Sequence, residues 1–215
     1  MKSPLNRAGK KHRFGKAWMQ EHVTDPYVQA AQRQGYRSRA AFKLLELAQK
    51  DHLFRPGITA VDLGAAPGSW SQVLRERLGA GSRIVATDVL PMESIAGVTF
   101  VQADFTEEAG LRAVEAALED RPVALVVSDM APNLSGIDAV DQARSVHLAE
   151  LALEFAAAHL QQGGDLCVKV FQGSGLAELE RAVRERFEKV YLRKPKASRD
   201  RSREFFVVAK GFRRP

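Results

Sequence analysis

From residue 58 to the C-terminus, short apolar runs alternate with segments of helical periodicity, and this alternation constrains the fold more than any other feature. The predicted strands cover residues 58–63, 83–89, 98–104, 123–130, 165–171, 189–194 and 204–212. Helices are predicted over residues 70–79, 111–120, about 140–160 and 176–187, after two more within residues 17–50. Such spacing is typical of βαβ units, and a loop alone joins the last two strands, which favours an antiparallel pair. We therefore predict a doubly wound α/β fold with a seven-stranded, mostly parallel sheet, one antiparallel strand and helices on both faces.

The first predicted strand ends in a glycine turn, Gly64-Ala65-Ala66-Pro67-Gly68. Glycines at the carboxyl end of a first strand let a ligand approach the backbone closely. The turn lacks the dinucleotide fingerprint G-x-G-x-x-G, and no Lys-Ser/Thr pair follows it, so we do not expect a pyrophosphate ligand. A nucleoside without a phosphate is compatible with this turn.

Acidic residues end the next two predicted strands. Asp88 is placed to accept hydrogen bonds from both hydroxyls of a ribose, and Asp104 is placed to meet an adenine amino group. Each acid alone is equally compatible with capping the next helix or facing water. Together with the glycine turn, the two acids predict an adenosine site.

Two further charged residues belong to the fourth and fifth predicted strands. Asp129 lies at the end of the fourth strand, at the carboxyl edge, where ligands bind in such sheets. Lys169 interrupts the apolar run of the fifth strand, and a buried lysine is costly unless it is paired. Lys169 is therefore predicted to be a functional residue, with a purely structural pair to Asp129 as the alternative.

The chain carries a net charge of +6, which is concentrated at its two ends. Residues 1–16 contribute six Lys/Arg and no acid, and residues 193–214 contribute nine Lys/Arg and two acids. Residues 17–192 consequently carry a net charge of −7. An acidic body with basic ends predicts a polyanionic partner, most simply a nucleic acid, although basic ends also aid solubility. Residues 1–16 are predicted to form a flexible basic arm.

The remaining composition argues against several other classes of protein. The single cysteine, Cys167, excludes a disulfide framework, and the five histidines lack metal-ligand spacing, so no metal is expected. No apolar run approaches the roughly 20 residues needed to span a bilayer, and residues 1–16 do not resemble a secretory signal. We expect a cytoplasmic protein, without membrane association, that is a monomer.

Four motifs together resemble the FtsJ/RrmJ family of S-adenosylmethionine-dependent ribosomal RNA 2′-O-methyltransferases. They are DLGAAPGSW (residues 62–70), SDMAPN (128–133), VKVFQG (168–173) and SRDRSRE (198–204). The resemblance extends from about Trp18 to Lys210 and is specific in combination, although each motif alone is not. It implies a Rossmann-like class I methyltransferase fold in a single domain over residues 17–215, with S-adenosyl-L-methionine as cofactor.

The resemblance also implies roles for individual residues. The family's Lys-Asp-Lys-Glu catalytic tetrad falls on Lys43, Asp129, Lys169 and Glu204. Cofactor contacts are implied at Gly68, Trp70, Asp88, Asp104 and Asp129. Close bacterial members methylate the 2′-hydroxyl of a uridine in the A-loop of 23S rRNA, which implies the large (50S) ribosomal subunit as partner. Ser69 and Ala41 depart from the usual family pattern, but neither belongs to the tetrad.

Several alternatives remain at this point. The same tetrad would serve a methyltransferase acting on tRNA or on an mRNA cap, and the fold alone would serve a non-catalytic RNA-binding protein. Lys169 is expected to act on the ribose hydroxyl as base or as orienting donor, while Lys43 holds a substrate phosphate or the other tetrad members. RNA contacts are expected from the basic ends and from Arg37 and Arg39, with stacking by Tyr36 or Phe42, unless these two aromatic residues only pack.

Overall fold

The computed structural model describes residues 23–199 and 201–214. The helices are α1 (Pro26–Gln34), α2 (Ala40–Asp51), α3 (Ser69–Leu78), α4 (Glu108–Leu118), α5 (Asp138–His159) and α6 (Leu176–Arg186). The strands are β1 (Thr59–Leu63), β2 (Arg83–Asp88), β3 (Thr99–Gln102), β4 (Val123–Ser128), β5 (Leu160–Phe171), β6 (Phe187–Arg193) and β7 (Glu204–Phe212). The predicted basic arm over residues 1–16 lies outside the described residues, and so does most of the helix predicted to begin near residue 17.

The strands form one sheet in the order β3-β2-β1-β4-β5-β7-β6. The pairs from β3 through β5 are parallel, while β7 is antiparallel to both β5 and β6. The predicted seven-stranded, mostly parallel sheet with one reversed strand near an edge is therefore confirmed. Because the chain order reverses between β1 and β4, the carboxyl ends of these strands flank the crevice where ligands bind in such folds.

Two apolar clusters cover the two faces of the sheet. On one face α4, α5 and α6 pack against the sheet through residues such as Val114, Phe155 and Val183. On the other face α2 and α3 pack through residues such as Leu44 and Val73. The predicted arrangement of helices on both faces is thus confirmed.

The observed element bounds differ from the predicted ones mainly in β5. This strand begins at Leu160, which pairs with Val123, and its register then jumps so that Leu125 pairs with Asp165. The Gly163-Gly164 pair therefore forms an irregularity within a longer strand rather than the turn before it. None of the helices in residues 23–199 and 201–214 combines the length and apolar character needed to cross a bilayer.

Candidate active site

Three neighbouring strands bring together the tetrad residues that are far apart in sequence. Asp129 directly follows β4, Lys169 lies near the carboxyl end of β5, and Glu204 opens the antiparallel strand β7. In the β5–β7 ladder Lys169 pairs with Phe206 and Phe171 with Glu204, so the reversed strand delivers its first residue to the carboxyl edge of the sheet. Lys43 reaches the same place from α2, which packs on that face.

The four side chains form a chain of alternating charge. Lys169 Nζ lies 3.0 Å from Asp129 Oδ1 and donates a hydrogen bond of 2.5 Å to the main-chain oxygen of Asp129. Lys43 Nζ lies 4.0 Å from the same Oδ1 atom and 2.8 and 2.9 Å from the two carboxylate oxygens of Glu204. Lys43 thus contacts both acidic residues of the tetrad, and its predicted role of holding the tetrad or a substrate phosphate stays a prediction.

Burial makes this pairing necessary. The side chains of Lys169 and Glu204 are only 7% and 9% exposed. Burial alone raises the pKa of Glu204, but the charge and hydrogen bond of Lys43, together with the charge of Lys169, outweigh it, so this pKa lies below its ordinary value. The tetrad is therefore a compact set of two cations and two anions at the edge of the sheet.

The alternation of side chains along β5 explains why a lysine is tolerated there. Leu166, Val168 and Val170 belong to the apolar cluster under α4–α6, whereas Cys167 faces the opposite cluster. Lys169 follows the same alternation as Cys167 but lies near the strand's carboxyl end, where Asp129 is within reach. The cost of burying its charge is offset by that partner.

The glycine turn after β1 closely approaches its neighbours. Gly64 and Gly68 both have positive φ angles of 75° and 108°, which side chains other than glycine rarely adopt. A Cβ atom on Gly64 would collide with the side chain of Met130, which follows Asp129. A Cβ atom on Gly68 would lie 2.6 Å from Arg37 Nη1 and 2.8 Å from Met92 Sδ. The turn therefore requires glycine at both positions.

Asp88 and Asp104 lie at the carboxyl ends of neighbouring strands, as predicted. The half-buried Asp88 accepts hydrogen bonds from the amides of Ala66 and Leu90, which fix its carboxylate beside the glycine turn. Asp104 Oδ1 accepts hydrogen bonds from both the amide and the hydroxyl of Thr106, just before α4. Asp104 therefore orders the turn that precedes α4, whose N-cap residue Glu107 has no side-chain capping hydrogen bond.

The side chain of Trp70 points away from the predicted adenosine site. It is 3% exposed, packs near Phe206 at a ring-centroid distance of 5.8 Å, and donates its indole N–H to the main-chain oxygen of Ala40. A cofactor contact at this position can therefore involve only the backbone of Trp70, which lies in the first turn of α3.

One buried acid of the site was not identified as functional from the sequence. Asp62 in β1 is 1% exposed and accepts a hydrogen bond of 2.6 Å from Ser71 Oγ, while its Oδ1 atom has no hydrogen-bond partner among the described residues. Burial raises the pKa of Asp62 to about 7, against the effect of Ser71. The signal available in the sequence was the same as for Lys169, a charged residue within an apolar strand run.

The residues around the glycine turn fit a nucleoside ligand. The glycines of the turn have no side chains of their own, although Met130 and Arg37 lie against them, and two carboxylates lie at the end of β2 and just after β3. Carboxylates suit ribose hydroxyls and an adenine amino group, all of which are donors. In residues 23–199 and 201–214, no cluster of three or more His, Cys, Asp or Glu side chains is arranged to hold a metal ion.

The arginines and aromatic residues that precede Lys43 are engaged with the protein itself. Arg39 pairs with Asp25 and donates a hydrogen bond of 2.5 Å to the main-chain oxygen of Ala197. The hydroxyl of Tyr36 donates a hydrogen bond of 2.6 Å to Glu76, and the Tyr36 ring lies edge-on to that of Phe42. The contacts of both aromatic residues thus match the packing alternative rather than a stacking platform.

Comparison with known proteins shows the family of this chain. A family model described as FtsJ-like methyltransferase matches residues 36–212. The Pseudomonas aeruginosa protein "Ribosomal RNA large subunit methyltransferase E" is 55% identical over 196 residues, which cover 91% of this chain and 95% of that protein. The protein of the same name from Alkalilimnicola ehrlichii is 58% identical over 195 residues, with 91% and 93% covered.

Solved structures show a similar fold. A Plasmodium falciparum protein described as a ribosomal RNA methyltransferase superposes with a TM-score of 0.73 at 30% identity, over 82% of this chain and 98% of that one. A fibrillarin/Nop5p complex matches 82% of this chain with a TM-score of 0.52 at 17% identity, which shows similarity of fold alone.

Proposed function

The chain belongs to the FtsJ-like methyltransferase family, and on that premise we propose that it methylates the ribose 2′-hydroxyl of a uridine in the A-loop of 23S rRNA, within the large ribosomal subunit. S-adenosyl-L-methionine is the proposed methyl donor, and the cytoplasm is the proposed compartment. The observation that best supports the proposal is the tetrad of Lys43, Asp129, Lys169 and Glu204, in which Lys169 and Glu204 are buried, at the same edge of the sheet as the glycine turn and Asp88.

The proposed cofactor residues would contact S-adenosylmethionine partly through side chains and partly through backbone. Asp88 would accept the ribose hydroxyls and Asp104 the adenine amino group, while Gly68 and Trp70 would contribute backbone. Asp129 contacts both lysines of the tetrad and follows β4, the strand beside β1 and its glycine turn. When bound, S-adenosylmethionine supplies an electrophilic methyl group on a sulfonium centre.

Lys169 is the proposed residue that acts directly on the ribose hydroxyl. Its Nζ atom donates a hydrogen bond to the main-chain oxygen of Asp129 and forms an ion pair with Oδ1 of the same residue at 3.0 Å, and an ammonium group carries three protons. This geometry supports an orienting donor, which aligns the hydroxyl oxygen with the methyl group. Lys43, which contacts both Glu204 and Asp129, would hold the Asp129 carboxylate in position beside Lys169.

A basic groove leads away from the tetrad and is the proposed path of the RNA. A cavity of about 460 Å³ has Lys43 and Glu204 in its lining, together with Arg199 and Arg201. A second cavity of about 490 Å³ shares Arg199 and Arg201. Arg39 lines both cavities, and Lys196 and Asp25 line the second. Cationic side chains outnumber carboxylates in the lining of the two cavities, which suits binding of the phosphates on either side of a target nucleotide.

A methylation assay on defined RNAs tests the proposed function. The protein and methyl-labelled S-adenosylmethionine are incubated with free 23S rRNA, 50S subunits that lack the modification, tRNA and capped mRNA, and the product is mapped by nucleotide. We expect label on one A-loop uridine, and none when that uridine carries a 2′-deoxyribose. Label on tRNA or a cap alone would favour those substrates, and binding without transfer to any RNA would favour a non-catalytic RNA-binding protein.

A further inference from the structure

Arg37 connects the two loops that border the predicted adenosine site. Its Nη1 atom donates hydrogen bonds of 2.8 Å to the main-chain oxygens of Pro67, in the glycine turn, and Glu93, in the loop after β2. Its Nη2 atom donates one of 3.1 Å to the main-chain oxygen of Ser94. The sequence predicted that Arg37 contacts RNA, whereas the structure directs this guanidinium at carbonyl groups of the protein.

The backbone around Arg37 is itself fixed to α3. The Arg37 amide donates a hydrogen bond of 2.8 Å to Gln72 Oε1, and Gln72 Nε2 donates one of 3.0 Å to the main-chain oxygen of Gly35. The hydroxyls of Ser38 and Ser69 lie 2.6 Å apart and share a hydrogen bond. The guanidinium therefore extends from a segment that is anchored on α3.

The contact with the glycine turn is close enough to limit its movement. A Cβ atom added to Gly68 would lie only 2.6 Å from Arg37 Nη1, so the guanidinium rests directly on this glycine. The side chains of Met92 and Ile95 complete the same cover, at 2.8 and 3.0 Å from that Cβ position. The guanidinium thus bridges the turn at Gly68 and the loop after β2, in addition to the hydrogen bonds that join residues 64–66 to Thr87 and Asp88.

We propose that Arg37 is a positioning residue for S-adenosylmethionine, which holds the glycine turn and the loop after β2 at the separation that the cofactor requires. The inference rests on the proposed function, since it presumes that the site around Gly68 and Asp88 binds this cofactor. If the loops are already ordered before the ligand binds, less conformational entropy is lost on binding. Planar guanidinium geometry reaches three carbonyl oxygens at once, whereas an ammonium group is a single point of donation.

Calorimetric titration of S-adenosylmethionine into Arg37→Met, Arg37→Lys and Arg33→Met variants tests this role. Arg33 is an exposed arginine on the last turn of α1 and serves as the matched control for loss of one positive charge. We expect the dissociation constant to rise about tenfold or more in both Arg37 variants, because two or more of the hydrogen bonds that hold the loops in place are removed. Arg33→Met should bind like the wild type.

Hydrogen exchange in the absence of cofactor supplies a second readout. Amides in residues 64–72 and 89–95 should exchange faster in both Arg37 variants, while those of β5 and β7 stay protected. The titration reports affinity for the folded fraction, and its stoichiometry reports how much of the variant is folded, so a loss of folding does not imitate a loss of affinity.

Three results would overturn the inference. Affinity of Arg37→Met within twofold of wild type would show that the loops keep their separation without the guanidinium. Wild-type affinity in Arg37→Lys alone would show that charge matters rather than the three-way contact. Weaker RNA binding with unchanged cofactor affinity would assign Arg37 to the RNA. Failure of the wild type itself to bind S-adenosylmethionine would instead count against the proposed function.

Discussion

The two halves of the sheet's carboxyl edge are built from different interactions. Around β1, β2 and β3, charged side chains bind backbone groups, as when Asp88 accepts from the amides of Ala66 and Leu90. Around β4, β5 and β7, charged side chains pair with one another, as when Lys43 contacts Glu204. In the first half, hydrogen bonds between side chains and backbone define the shape of the site. In the second half, two cations and two anions form a cluster of ion pairs.

Because of this difference, we expect substitutions in the two halves to impair different properties of the protein. A change in the backbone-defined half should weaken binding of the cofactor, because donors and acceptors no longer keep their fixed positions. A change in the charge cluster should alter turnover and stability, because a buried ion is left without its partner. Four sets of variants test this separation, beginning with the largest expected effect.

Lys43→Met should have the largest combined effect on stability and turnover. The change leaves the 9%-exposed carboxylate of Glu204 without its partner, so we expect the free energy of unfolding at neutral pH to fall by about 3–5 kcal/mol. Turnover should fall by about a hundredfold, because Asp129 and Glu204 are no longer held in place. Chemical denaturation and single-turnover assays measure the two effects.

The double variant Lys43→Met/Glu204→Met provides the matched control for Lys43→Met. It should regain much of the stability but none of the turnover, since no buried charge is left unpaired. The pKa of Glu204 lies below its ordinary value in the wild type, so its pairing stabilises the fold at neutral pH, and this stabilisation is lost as pH falls through that lowered pKa. Equal stability of single and double variants would contradict the role of the Lys43 pair.

Asp88→Ala should weaken cofactor binding by about tenfold to a few hundredfold, since hydrogen bonds to charged groups contribute roughly 1.5–3 kcal/mol each. Turnover at saturating cofactor should change far less, because the tetrad keeps its contacts. Calorimetry checks the affinity, with Glu150→Ala as control, since Glu150 is an exposed acid on α5. Wild-type affinity in Asp88→Ala would remove Asp88 from the cofactor site.

Arg199→Gln/Arg201→Gln tests the basic groove. RNA affinity should fall at low salt, and the slope of log affinity against log salt should decrease by about 0.7–0.9 for each phosphate that the variant no longer neutralises. Cofactor affinity should remain unchanged. Arg112→Gln is the control, because Arg112 is an exposed arginine on α4 that pairs with Glu108. A salt slope equal to that of the wild type would place the RNA elsewhere.

Asp62→Asn should change the dependence of stability on pH. The folded pKa of about 7 exceeds the ordinary value of 3.8, so the folded state binds more protons than the unfolded state between these values. The contribution of Asp62 to stability therefore falls as pH rises from about 4 to about 7. The stability of Asp62→Asn relative to wild type should increase over that window in denaturation curves, and a constant difference would contradict the raised pKa.

The sequence predicted the fold and much of the site because both depend on local pattern. Strand runs and their terminal residues predicted where Asp88, Asp104, Asp129 and Lys169 lie along the carboxyl edge. Lys43 is different, since it lies on α2 and no local pattern near it indicates a strand end. Its place beside Glu204, 161 residues away in sequence, followed only from the resemblance to a family.

Other features depend on long-range contacts that no local pattern encodes. The inward orientation of Trp70 depends on Ala40, and the partners of Arg37 lie 30 and 56 residues further along the chain. From the sequence, an arginine in a basic segment is readily interpreted as an RNA contact, because the sequence does not show which groups the arginine contacts in the folded protein. The buried position of Asp62 likewise depends on how α3 covers β1.

Single-turnover methylation by Lys169→Ala, at saturating RNA and S-adenosylmethionine, tests most directly whether the charge cluster performs the chemistry. Saturation removes any difference in binding, and calorimetry should show unchanged cofactor affinity, because the proposed adenosine contacts lie on other strands. We expect the rate to fall by about a hundredfold or more, and Lys169→Arg not to restore it, since guanidinium differs in shape from ammonium. A rate for Lys169→Ala within a few fold of wild type would contradict this account and make Lys169 a structural partner of Asp129.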